Sequence, residues 1–173
     1  MEEKHLYFVS GPSGVGKTSV LDWLKKILSD KFRIYDFDEG GVPDNADNQW
    51  RRGRTKHWED AAQELRQDGL KTIVTGLCQP DEISDRAGVQ FVLLDANDDA
   101  IRERLGKRFV DSENVESLRR VTGKSPEGFV QDNLNHAKKL RELNDEYGGI
   151  RIDTSDLSPE QVALRLKEEL DLD

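Results

Sequence analysis

Eight residues near the start of the chain, Gly11-Pro12-Ser13-Gly14-Val15-Gly16-Lys17-Thr18, place glycines, a lysine and a hydroxyl in the spacing G-x-x-x-x-G-K-[ST]. An apolar run, Leu6-Tyr7-Phe8-Val9-Ser10, leads into them, and a segment of helical period leads out. A strand, a glycine-rich turn and a helix in that order form a loop that holds polyphosphate. A dense anion is gripped by backbone N–H groups at the positive end of a helix. Gly11, Gly14 and Gly16 allow the backbone angles and close approach that such a ring needs. The expected nucleotide-binding set is Gly11, Ser13, Gly14, Val15, Gly16, Lys17, Thr18 and Ser19. Lys17 is expected to reach the β- and γ-phosphates as a point charge, and the Thr18 hydroxyl to ligate Mg²⁺.

Other charged residues recur at spacings that suggest chemistry. Asp36 and Asp38 flank Phe37 where a second apolar run ends in acids and glycines. Side chains at i and i+2 of a strand point the same way, which brings both carboxylates to one site. In an open parallel sheet, ligands gather at the carboxyl ends of the strands, so these acids should face the nucleotide. Arg104 and Arg108 lie at i and i+4 and share a helix face, where they repel unless an anion lies between them; the other reading is a solvated basic helix end. Arg51, Arg52 and Arg54 follow Trp50. Their forks match phosphate and carboxylate, so Arg51 and Arg54 are candidate acceptor ligands, with a solvated loop as the alternative.

Several residues read as structural. Trp58 shares helical spacing with Ala61, Ala62 and Leu65 and is assigned to the core. His57 and His136 show no partner and are assigned to the surface. Cys78, the only cysteine, excludes an internal disulfide and a cysteine metal cluster, and is expected to be a small buried side chain at a strand end.

The elements that must position these groups follow from pattern and punctuation. A helix begins inside the glycine motif, with Val20, Leu21, Leu24, Ile27 and Leu28 on its apolar face. A strand follows from Phe32. Residues Val42 to Lys56 have no clean period; Pro43, Asp44, Asn45 and Asp47 are turn chemistry, and a mobile substrate-side segment is expected. A helix is expected over His57 to Asp68, stopped by Gly69. Thr72 to Gly76 and Val89 to Asp95 read as strands, the latter central because it is nearly continuous in apolar residues. Pro80-Asp81-Glu82 opens a brief helix between them. Asn97 caps the next helix, Ser112 is a possible cap for a segment running to Gly123, and Ser125-Pro126-Glu127 starts a long helix through Tyr147. A short fifth strand at Ile150 to Ile152 and a helix capped by Ser158 close the chain. Strands alternating with helices imply a parallel sheet covered on both faces.

Length and composition bound the rest. The 173 residues fit one domain, and a net charge of -9 argues against a nucleic-acid groove, which needs a basic stripe. Apolar and charged residues each make up 35%, and no apolar stretch approaches the about 20 residues of a membrane span. A cytoplasmic protein, monomeric or homodimeric and not bound to membrane or nucleic acid, is the expectation.

In the order of these parts the chain resembles P-loop kinases of the nucleoside monophosphate kinase-like group, including adenylate, guanylate, shikimate and gluconate kinases. The resemblance rests on Gly11 to Thr18, on Asp36-Phe37-Asp38, on Arg104-Leu105-Gly106-Lys107-Arg108, and on Ile152 to Pro159. It implies a three-layer α/β/α P-loop NTPase fold over residues 1–173, with a five-stranded parallel sheet ordered 2-3-1-4-5. It also implies a small helical lid over 104–128 and a substrate-side segment over 39–57. By the same resemblance Arg104 packs on adenine and Arg108 reaches the phosphates. Of the two acids, Asp36 is the candidate outer-sphere metal group and Asp38 the candidate base or orienting group, an assignment the sequence leaves open to exchange. Where nucleoside monophosphate kinases carry an acid after the third strand, this chain has Thr75-Gly76-Leu77-Cys78; Asp95 is the alternative metal acid. The implied activity is ATP- and Mg²⁺-dependent transfer of the γ-phosphoryl group to a small acceptor, with Lys17, Asp38 and Arg108 catalytic. The rival is an NTP-binding regulator or hydrolase, although no Asn-Lys-x-Asp guanine-reading motif follows the fourth strand.

Overall fold

The structure, a computed structural model, describes residues 3–44, 46–84 and 86–172. In chain order the elements are β1 (Leu6–Ser10), α1 (Lys17–Ile27), β2 (Phe32–Asp36), α2 (Asn48–Gln67), β3 (Lys71–Thr75), a 3₁₀ turn (Pro80–Glu82), β4 (Val89–Asp95), α3 (Asp98–Arg108), α4 (Ser112–Thr122), α5 (Pro126–Tyr147), β5 (Ile150–Asp153) and α6 (Pro159–Glu169). All strand pairs are parallel and the sheet order is β2-β3-β1-β4-β5. The expected topology is therefore the observed one.

Alternation along the central strands builds two cores. Tyr7 and Val9 of β1 and Val92 and Leu94 of β4 pack on one face with Val20, Leu24, Ile101, Leu105 and Leu166. Leu6, Phe8, Phe91 and Leu93 pack on the other with Trp58, Ala62 and Leu140. Both faces of β1 and β4 are buried, which is why their sequences read as continuous apolar runs. Helix α5 contributes to both cores, with Leu134 and Ala137 in the first and Leu140 in the second. The register sets Val9 opposite Thr75 and Asp36 opposite Thr75, so β1, β3 and β2 end at one edge. Among the described residues, no helix is long and apolar enough to cross a membrane.

The structure corrects three local expectations. Helix α2 begins at Asn48, nine residues before His57, and takes in Arg51, Arg52 and Arg54. Asp47 is its cap, with Oδ1 accepting from the Trp50 N–H at 2.8 Å, an interaction worth about 1 kcal/mol. An apolar-only pattern misses this turn because the buried face of α2 includes the polar Thr55 and Glu59 beside Trp58 and Ala62. Asn45, assigned above to turn chemistry, lies outside the described residues. Helix α4 is capped by Asp111, whose side chain accepts from the Glu113 N–H, and Ser112 is its first helical residue. Strand β2 stops at Asp36, so Asp38 lies beyond it in a turn. The caps Asn97, Ser125 and Ser158 stand as expected.

Candidate active site

The turn from β1 into α1 is built by close packing of backbone. A Cβ added at Gly11 would lie 2.3 Å from the Leu94 carbonyl oxygen and 2.9 Å from Val15 Cγ2, so only glycine fits. Gly14 and Gly16 take φ of +89° and +92°, in the left-handed region that glycine enters without strain. Val15 is 3% exposed and anchors the loop in the first core. Among the described residues, the backbone N–H groups of Gly14, Val15, Gly16, Lys17, Thr18 and Ser19 have no hydrogen-bond partner, whereas Val20 N–H already donates to Gly16. Six unpaired amides at the positive start of α1 are a donor set of the kind that binds phosphate.

Lys17 lies across this loop. Its Nζ donates to the carbonyl oxygens of Gly11 at 2.6 Å and Pro12 at 2.8 Å. Burial brings the ammonium down to about 8, Arg108 adds to that effect, and Asp38 and Asp36 oppose it. The charges of Asp38, Asp36 and Arg108 thus all bear on Lys17. The exposed hydroxyls of Thr18 and Ser19 sit in the first turn of α1.

Two side chains brace the loop from outside. Asn133 of α5 clamps Ser13: its Oδ1 accepts from the Ser13 N–H at 2.9 Å and its Nδ2 donates to the Ser13 carbonyl at 2.8 Å. The Ser13 amide is therefore engaged within the protein, which removes it from the expected phosphate-binding ring. Arg104 donates from Nη1 to Gly14 O at 3.2 Å and Thr154 Oγ1 at 3.1 Å, and from Nη2 to Thr154 O at 2.6 Å and Ser155 O at 3.0 Å. It ties the loop to the β5–α6 turn. The repulsion expected between Arg104 and Arg108 does not demand an intervening anion, because carbonyl and hydroxyl oxygens already solvate Arg104. Nothing in the sequence marked Asn133; its only signal is an amide on a helix face otherwise lined by Leu134, Ala137 and Leu140.

The acids approach from β2. Asp36 Oδ1 accepts from the Asp38 N–H at 2.8 Å. Phe37, fully buried between them, donates its N–H to Thr75 O at 2.7 Å, and a Cβ at Gly76 would lie 2.3 Å from Phe37 Cβ. The two carboxylates converge because Phe37 is driven into the core in a turn, not because both belong to the strand. Burial raises the Asp38 carboxyl above its usual range, Asp36 adds to the shift, and Arg51, Arg54 and Lys17 oppose it.

Of the candidate arginines, Arg54 is occupied. Its Nε donates to Phe37 O at 2.8 Å, its Nη2 donates to Glu39 O, and its guanidinium lies 4.9 Å from the Trp58 ring centroid. Trp58 Nε1 donates to the same Phe37 carbonyl at 3.1 Å, and the ring stacks on Tyr35 at 4.9 Å. Arg54 thus holds the turn that carries Asp38, in place of the acceptor contact expected of it. Among the described residues, Arg51 gives only Nη1, to Leu77 O at 3.0 Å, and keeps most of its fork for other partners.

The remaining assignments divide. Cys78 is 1% exposed at the end of β3, its carbonyl and N–H both bonded to Ser10 Oγ, and burial pushes its thiol well up, so it is inert. Asp95 is 2% exposed and its Oδ2 accepts from Arg141 Nε at 2.9 Å and Arg151 Nη2 at 2.5 Å. Those guanidiniums neutralise it, against the alternative of a metal acid. His57 is exposed, with its ring edge-on to Trp58. His136 departs from its surface assignment: it is half-buried on α5 and senses the charges of Arg51 and Lys17.

No curated protein matches the chain in sequence. Solved structures match it along nearly its whole length. A sugar kinase from Janibacter sp. HTCC2649 aligns with a TM-score of 0.66 at 22% identity, covering 98% of this chain and 95% of that one. A thymidylate kinase from Candida albicans aligns with a TM-score of 0.62 at 12% identity, over 99% and 92% of the two chains. A gluconokinase from Sinorhizobium meliloti 1021 gives 0.60 at 18%, over 99% and 94%. At such identities the likeness is one of fold, and it is the fold of the nucleoside monophosphate kinase-like P-loop group. The AAA domain family matches residues 8–120, so the loop, the acid turn, Arg104 and Arg108 lie within the match, and the chain belongs to that family of P-loop proteins.

Proposed function

We propose that this protein is an ATP- and Mg²⁺-dependent phosphotransferase that moves the γ-phosphoryl group to a small-molecule acceptor, either a nucleotide or nucleoside or a small metabolite hydroxyl. The observation that carries the reading is the run of unpaired amides from Gly14 to Ser19 at the start of α1 together with Lys17, on whose ammonium the charges of Asp38, Asp36 and Arg108 all bear. A phosphate loop alone binds nucleotide; acids set across from it give an acceptor hydroxyl somewhere to be oriented.

In this reading the amides of Gly14 to Ser19 and the ammonium of Lys17 hold the donor phosphates. Gly11 permits the close approach of the loop, and Arg104 offers the face of a guanidinium whose edge is already bonded. Thr18, with Asp36 in the outer sphere, would hold Mg²⁺. The set of a hydroxyl and a carboxylate is made of hard oxygens and suits an ion that otherwise keeps water and phosphate ligands. When bound, the ion offsets charge on the phosphate oxygens. Asp38 orients the acceptor hydroxyl and takes its proton, and its raised carboxyl is a stronger base than an ordinary aspartate. Arg51 contacts the acceptor. Arg108 closes with the segment 104–128 and stabilises charge on the transferred group. Closure excludes water, the competing nucleophile.

The structural neighbours include kinases of sugar, gluconate and thymidylate, which supports the reaction class. The neutral Thr75-Gly76 ending of β3 favours a second reading, a nucleotide-binding regulator or NTP hydrolase. The deciding experiment measures binding of Mg·ATP and then ADP release with and without nucleoside monophosphates, nucleosides and sugar acids. ADP release that requires one acceptor supports the kinase. Release at the same rate without acceptor supports the hydrolase, and failure to bind Mg·ATP or Mg·GTP sinks both.

A further inference from the structure

Helix α5 presents more than Asn133 to the phosphate loop. His136 follows it by three residues and so shares its helix face. Its Nε2 is buried and, among the described residues, has no hydrogen-bond partner. Buried polar nitrogens are nearly always bonded, so an orphan one turn along from the residue that clamps the loop calls for a ligand. The charges that bear on the imidazole are those of Lys139 on its own helix, Arg51 on α2 and Lys17 on α1, all cations. Burial and those cations push the ring below its usual range, which keeps it neutral at pH 7. A neutral ring with one N–H donor, set in a positive field, complements an anion.

We propose that His136 is a ligand-binding residue of the transfer site, its Nε2–H donating to an oxygen of a phosphate or carboxylate that enters between Lys17 and Arg51. The assignment rests on the phosphotransferase reading and adds to it a contact from α5. The anionic oxygen has two sources, the donor's own phosphates or a charged group on the acceptor. Lys17 marks the first side and Arg51 the second.

The chain has three histidines, His5, His57 and His136, so imidazole ¹⁵N spectra are simple and His136→Gln assigns the signal. Spectra are recorded alone, with Mg·ADP, with Mg·β,γ-methylene-ATP, and with Mg·ADP plus inorganic phosphate, each complex brought to saturation by calorimetry. The expected result is a displaced Nε2 resonance and an upward-moved titration of His136. Displacement already with Mg·ADP assigns the β-phosphate, displacement only with the ATP analogue assigns the γ-phosphate, and displacement only on adding inorganic phosphate assigns an acceptor anion. His136→Leu should weaken the responsible ligand about tenfold, the loss of one hydrogen bond to a charged group. His136→Gln, which keeps an N–H donor, should recover most of that affinity at unchanged Tm. If nucleotide binds and the His136 signal stays fixed in every complex, the proposal is overturned while the function stands. If wild-type protein binds no nucleotide, the phosphotransferase reading falls and takes this one with it.

Discussion

The two sides of the site are made of different material. On the side proposed for the donor, the turn from β1 to α1 offers main-chain amides beside Lys17, and more distant side chains brace it: Asn133 holds Ser13, and Arg104 holds Gly14. On the side proposed for the acceptor, the β2 turn and α2 offer side chains, and carbonyl groups compete for them: Arg54 is drawn to Phe37 and Glu39, and Arg51 in part to Leu77. A backbone site depends on which residues permit a conformation. A side-chain site depends on which charges remain after the fold has satisfied its own carbonyls, and neighbouring arginines of the same type part company there.

The sharpest test of the donor side is Lys17→Ala. Transfer should fall by about 10³-fold, the scale expected when a group stabilising transition-state charge is lost. The melting temperature should hold at pH 7, since a desolvated ammonium adds little to stability. Unchanged steady-state rates would break the assignment. On the acceptor side, Asp38→Asn should lower kcat by about 10²-fold or more with Mg·ATP affinity nearly unchanged. A matched loss in affinity would move Asp38 to the metal and leave Asp36 as the acceptor group.

The contrast between the arginines comes next. Arg54→Ala should cost about 2 kcal/mol in chemical denaturation, because carbonyl partners and the Trp58 face are left behind. Arg51→Ala should cost about 1 kcal/mol or less and act instead on the acceptor KM. Equal stability losses would erase the distinction drawn between them.

Lys17 also sets a pH dependence. Its folded value of about 8 lies below the unfolded value of about 10.4. The unfolded chain therefore holds more protons between those values, and this group's contribution to stability rises with pH across that window. Polyphosphate favours the charged ammonium. Above about pH 8 nucleotide binding must then take up a proton, and affinity should fall by up to about tenfold per pH unit. Calorimetry in buffers of different ionisation enthalpy reads the uptake directly, and a flat affinity from pH 7 to 9.5 would contradict it. A comparably small effect is expected of Asn133→Ala, a loss of about 1 kcal/mol in stability with a several-fold weaker hold on nucleotide. If stability fell and affinity did not, the clamp would be a core contact and nothing more.

Much of this was legible in the residues. Nearly continuous apolar runs at Leu6 to Ser10 and Val89 to Asp95, caps at Asn97, Ser125 and Ser158, and the spacing of Gly11 to Thr18 each encode a local conformation. The helical segment from Asn48 to Lys56 was not legible, because its one buried residue is the polar Thr55 and apolar pattern alone is blind to it. Nor was the true basis of the Asp36–Asp38 pairing, since β2 ends one residue too early for strand alternation to supply it.

The amino-acid order by itself determined the elements, their parallel arrangement and the phosphate loop, because each depends on dihedral freedom or on the burial of nearby apolar side chains. Only the tertiary structure decided that Asn133 reaches back 120 residues to Ser13, that Arg54 braces while Arg51 remains largely available, that Asp95 is neutralised by Arg141 and Arg151, and that His136 is half-buried. Those outcomes rest on which polar groups meet once the chain is packed, and the desolvation that makes such meetings matter exists only in the folded state.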